Sequence, residues 1–137
     1  MIAIRSIGSV VLGLIAFLAV TFLLDWIASS VCPTCLSPDR AHFTSVTLLI
    51  VALVYWAAAT WLAGLVAARV APRAPIVHAV VVGSCLTLFF ALNALGALTS
   101  GEDPVWWHLI LVVLAIPLSL GGARMAHRAV VVEARGA

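Results

Sequence analysis

The sequence predicts an all-α membrane protein of four antiparallel transmembrane helices in an up-down-up-down bundle. Three observations carry this expectation: the composition, the length of the apolar runs and the placement of the arginines. Of 137 residues, 65% are hydrophobic and 9% charged, whereas a soluble domain is about half apolar and a quarter charged. One compact membrane domain accounts for a chain of this size. No basic run with interleaved aromatics occurs, which argues against a nucleic-acid partner.

The apolar runs are residues 7–27, 44–67, 76–98 and 105–121. Crossing a hydrocarbon core of about 30 Å takes about 20 apolar residues as a helix. Three runs reach that length, and the fourth sits at its lower limit. Backbone groups in lipid must be satisfied internally, and no period-2 alternation suggests barrel strands, so the runs are read as helices. The first run exceeds the 7–15-residue core of a signal peptide and is read as a retained span.

The connectors set the topology. Ala68–Pro75 carries two prolines, and Thr99–Pro104 is turn-like. Short connections make successive helices antiparallel neighbours. Arg5, Arg69, Arg73, Arg124, Arg128 and Arg135 then share one side, with Arg40 alone on the other. That bias predicts cytoplasmic termini. Trp26, Trp106 and Trp107 fall at the opposite, outer margin, where indole rings favour the interface. Ala59, Ala63 and Ala67 form a small-residue stripe suited to close helix packing. Pro117 should kink the fourth helix, and Gly121-Gly122 should mark its frayed end.

The polar break 28–43 (ASSVCPTCLSPDRAHF) is the long segment unsuited to lipid. Its Cys32-Pro33-Thr34-Cys35 would face an oxidising compartment. The spacing admits a stiffening disulfide, a redox-active pair or two metal ligands. Two cysteines alone do not define a zinc site, so no metal is assigned. Cys32 and Cys35, with Arg40, are the candidate catalytic residues. Asp25, Asp39, His42 and His108 are the candidate binding residues.

Asp25 and His108 each lie near the outer margin of a helix and would meet if helices one and four were neighbours. A carboxylate and an imidazole there could hold a proton, a metal or a headgroup. They could equally snorkel to water as a weak surface pair. Ser84, Cys85, Asn93, Thr60 and Tyr55 read as interhelical hydrogen-bonding groups. The midplane carries no acid or histidine, which weakens a proton-coupled transporter.

Two resemblances add to this reading. Cys32, Cys35 and Arg40, following one helix and opening the next, resemble the DsbB and vitamin K epoxide reductase type of thiol oxidase. That resemblance implies a quinone-linked disulfide exchange with Arg40 near the quinone. The type relays electrons through a second cysteine pair, whereas Thr99–Pro104 contains no cysteine and Cys85 lies in the third helix. The segments IRSIGSVVLG, LVAARVAPRAPIVHAVVVG and PVWWHLILVVLAIPLSLGGAR resemble an uncharacterised family of small four-helix bacterial integral membrane proteins. There the first helix ends on an acid, matched by Asp25, and the fourth opens on an aromatic-histidine pair, matched by Trp107 and His108. This second resemblance implies a bacterial inner-membrane protein and no particular activity.

The expected function is an accessory, scaffold or binding subunit with an extracytoplasmic interaction face. An extracytoplasmic thiol-disulfide oxidoreductase is the alternative. Expected partners are the lipid bilayer and either a second copy or another membrane protein. No cofactor is specified.

Overall fold

The computed structural model describes residues 2–31, 45–101 and 104–136, with side chains over 5–31, 45–101 and 104–127. These residues form α1 (Ile2–Val31), α2 (Val46–Val70), α3 (Pro75–Ser100) and α4 (Val105–Gly136). The described residues are thus organised as four helices, and each is long and apolar enough to cross a membrane.

Local chemistry explains the helix ends. Ala71 leaves α2 in an extended conformation (φ −61°, ψ 126°), because Pro72 disfavours a helical residue before it. Pro75 stands at the first position of α3, where its missing N–H removes no helical bond. Ala74 between them adopts φ 49°, a left-handed conformation that costs a non-glycine residue about 1–2 kcal/mol. Gly101 closes α3 at φ 70°, and its N–H bonds the Ala97 carbonyl at 2.9 Å. That is a left-handed cap suited to a residue without Cβ.

Two expected boundaries are corrected. The first helix runs past Ile27 to Val31. Ser29 and Ser30 remain helical with their hydroxyls donating to the Trp26 carbonyl at 2.7 and 2.8 Å, a local bond that keeps short polar side chains within a helix. The fourth helix passes through Pro117 and does not end at Gly121.

Gly121-Gly122 is therefore no frayed terminus. A Cβ on Gly122 would collide with the Trp61 carbonyl and stand 2.8 Å from the Leu65 nitrogen. A Cβ on Gly64 would collide with the backbone of Ser119. These glycines mark the line along which the α2 and α4 backbones meet. Small residues serve this purpose in membranes, where lipid offers no hydrophobic drive between helices and dispersion contacts must hold them together.

α4 packs against both α2 and α3, while α1 rests mainly on α2 and touches α3 less. The expected stripe Ala59, Ala63 and Ala67 is fully buried. Gly13 of α1 lies against it, where a Cβ would stand 2.8 Å from the Ala63 carbonyl oxygen. Against α3, Gly83 faces Ala115 and Ile116. The Ser119 hydroxyl donates across to the Ala79 carbonyl at 2.7 Å.

Substituting Gly64→Ala should destabilise the detergent-solubilised protein by about 1–3 kcal/mol, the usual cost of overpacking. Gly8→Ala, with nothing within 4 Å of the added carbon, should be neutral or slightly stabilising because alanine favours helix. Reversible unfolding of both variants checks this, and equal effects would contradict the close α2–α4 approach.

Candidate functional site

The polar feature that ties α1 to the rest is Asp25 with Tyr55. The Tyr55 hydroxyl donates to Asp25 Oδ1, and both side chains are half-buried. Asp25 lies about two turns before the end of α1, and Tyr55 lies ten residues into α2. An ionisable group within a span is costly without a partner. The phenol supplies that partner, and the second carboxylate oxygen retains acceptor capacity.

Aromatic rings fill the adjoining interior. Phe17 of α1 makes edge contacts with Trp56 and Phe90, both at 5.9 Å between ring centroids. Trp56 meets Trp107 at 5.1 Å, and Trp107 meets His108 at 4.7 Å. These edge-to-face arrangements suit the aromatic quadrupole. Four helices thus contribute to one packed aromatic centre. Trp107 also donates its indole N–H to the Leu49 carbonyl at 2.8 Å, which joins α4 to the start of α2.

Several expected placements change. Trp107 was expected at an outer interface but is 4% exposed. Successive helical residues point about 100° apart, so the Trp106-Trp107 pair presents one ring to the surface and one to the core. Trp106 is the exposed one. His108 is 5% exposed and edge-on to Trp107, so it belongs to the packed interior and not to a snorkelling margin. Asp25 finds its partner on α2, because α1 packs on α2 and α3 and not principally on α4. Cys32, Cys35, Asp39, Arg40 and His42 lie outside the described residues.

Among the deeper polar groups, Tyr55 alone of those named makes the expected cross-helix bond. Thr60 and Asn93 donate to carbonyls one turn back in their own helices, Trp56 and Phe89. Ser84 and Cys85 are exposed. Ser119 and Trp107 make cross-helix bonds that the sequence reading did not identify. One serine within a row of small residues a turn apart on α4 (Ala115, Ser119, Ala123) was the available signal for the first.

Among the described residues, no group of three His, Cys, Asp or Glu side chains is gathered in a way that could hold a metal ion. Comparison with family models, curated proteins and solved structures finds no match for this chain.

The Asp25–Tyr55 bond should be measurable as an interaction energy. Single substitutions Asp25→Ala and Tyr55→Phe and their combination form a double-mutant cycle. A coupling of about 0.6–1.7 kcal/mol is expected from interhelical bonds in membranes. A coupling indistinguishable from zero would mean the contact does not hold α1 to α2.

Proposed function

We propose that the chain is a bacterial inner-membrane accessory or scaffold subunit that binds another membrane protein, or a second copy, through α1 and the adjoining extracytoplasmic segment. The observation that carries this reading is the exposure of α1. Val11, Ile15, Leu18, Phe22 and Trp26 recur at three- and four-residue intervals and are all exposed, Phe22 at 71% and Trp26 at 68%. α1 is also the least buried of the four spans. A helix held on one side by Gly13, Phe17 and Asp25 leaves its other side available in the membrane plane.

An antiparallel bundle with both termini cytoplasmic is part of this proposal. The arginine bias supports it. The contact register agrees: Gly13 lies against Ala63 and Ala67 while the later Asp25 meets the earlier Tyr55. Under this orientation the Asp25–Tyr55 pair stands toward the extracytoplasmic end of α1. The filled aromatic centre favours a binding role over a transport path. The resemblance of three segments to small four-helix bacterial membrane proteins supports the inner-membrane location and assigns no activity.

Site-specific photo-crosslinking in native membranes tests the reading. Probes at Phe22 and Trp26 should give one discrete protein adduct, whereas a probe at the exposed Val113 of α4 should give lipid adducts only. Identical patterns from both helices would overturn it. The thiol-disulfide alternative is separated by the potential of the Cys32–Cys35 pair. Thiols that never pair, or a potential below about −300 mV, are expected for a subunit. A potential well above about −250 mV would transfer the assignment to an oxidoreductase.

A further inference from the structure

The α2–α4 pair carries a second feature, in the later half of α2, beyond Leu49 and Tyr55. A groove of about 330 Å³ is lined by Trp61, Gly121, Arg124 and Met125. Its chemistry is mixed, with an indole, a thioether and a guanidinium all in its lining. Arg124 is exposed, and among the described residues no carboxylate pairs with it. It lies two residues beyond Gly122, which meets Leu65 of α2 one turn before Arg69, so it stands toward the end where α2 closes at Val70. In a spanning bundle that end borders the headgroups.

The glycine pair divides the work. Gly122 is needed for backbone contact, as shown above. Gly121 is not crowded: a Cβ there would meet Trp61 Cδ1 at 3.4 Å and Nε1 at 3.5 Å, which is ordinary contact. Its missing side chain instead leaves the indole edge uncovered and forms the floor of the groove. Arg69 adds positive charge nearby, one turn beyond Leu65, whose nitrogen faces Gly122.

We propose that this groove binds one anionic phospholipid of the adjacent leaflet, with the phosphate on Arg124 and an acyl chain along Trp61 and Met125. A guanidinium offers a planar fork that matches two phosphate oxygens. Basic pockets between spanning helices recognise anionic headgroups through the same attraction. The apolar walls inside the span select a lipid over a soluble phosphate. The site is independent of the α1 face and needs only that the helices span a membrane.

Native mass spectrometry of the full chain in neutral detergent tests the proposal. Phosphatidylglycerol and phosphatidylcholine of matched chains are added in turn, and inorganic phosphate serves as competitor. One phosphatidylglycerol should be retained at least about fivefold more strongly than phosphatidylcholine, the effect of one favourable charge at the surface. Arg124→Gln should abolish that preference, Arg124→Lys should keep part of it, and Arg73→Gln in the α2–α3 connector should leave most of it. Gly121→Val retains the charge but fills the groove, and should lower retention of both lipids. Equal retention of the two lipids by the unaltered chain would overturn the proposal. So would an Arg124→Gln effect no larger than that of Arg73→Gln, unchanged retention in Gly121→Val, or displacement by millimolar inorganic phosphate.

Discussion

The backbone contact between α2 and α4 is the constraint on which the remaining structure depends. At Gly64 and Gly122 there is no room for a side chain, so the two helices approach until main-chain atoms touch. That approach brings Ser119 within reach of the Ala79 carbonyl on α3 and Trp107 within reach of the Leu49 carbonyl on α2. α4 is consequently the hub to which α2 and α3 attach. In lipid the gain comes from dispersion and satisfied polar groups, because apolar side chains are equally at home facing acyl chains.

α1 is attached by a different chemistry. It contributes one glycine contact, one buried phenylalanine and one carboxylate. Gly13 lets α1 lie close to Ala63, Phe17 enters the ring cluster, and Asp25 accepts the Tyr55 hydroxyl. Three anchors along one side leave the other side as a continuous apolar strip. The asymmetry between a tightly packed three-helix core and an edge helix is what gives the molecule a distinctive face in the membrane plane. The aromatic centre, by contrast, is shared by all four helices and closes the interior.

The two ends of α2 also differ in character. Towards its start are the tyrosine-carboxylate pair, the indole bond to Leu49 and the buried His108. Towards its end are Trp61, Arg69 and, across on α4, Arg124. In the first set the phenol, the carboxylate and the Trp107 indole are spent on bonds between helices. The second presents a guanidinium, unpaired among the described residues, in a groove shared with an indole and a thioether. The physical distinction is between polarity spent on joining helices and polarity presented to the surroundings.

Composition and run length were enough to determine that the described residues form four helices, each long and apolar enough to cross a membrane, because an apolar segment in lipid has no other way to satisfy its backbone. Ala59, Ala63 and Ala67 were also legible as a packing stripe, since small residues four apart share a helix face. Tertiary structure alone decided which neighbours those faces met. Gly122 read as a helix end because glycine weakens a helix locally, yet the benefit that retains it lies on another helix. Trp106 and Trp107 were equivalent as letters, and only the position of the Leu49 carbonyl sent one ring inward. Asp25 was visible as an ionisable residue near the outer margin of its helix, but its partner thirty residues away depended on α1 packing against α2. Sequence specifies the length and polarity of each helix through local physics; pairing is set by steric fit between faces distant in sequence, and that fit decided the site.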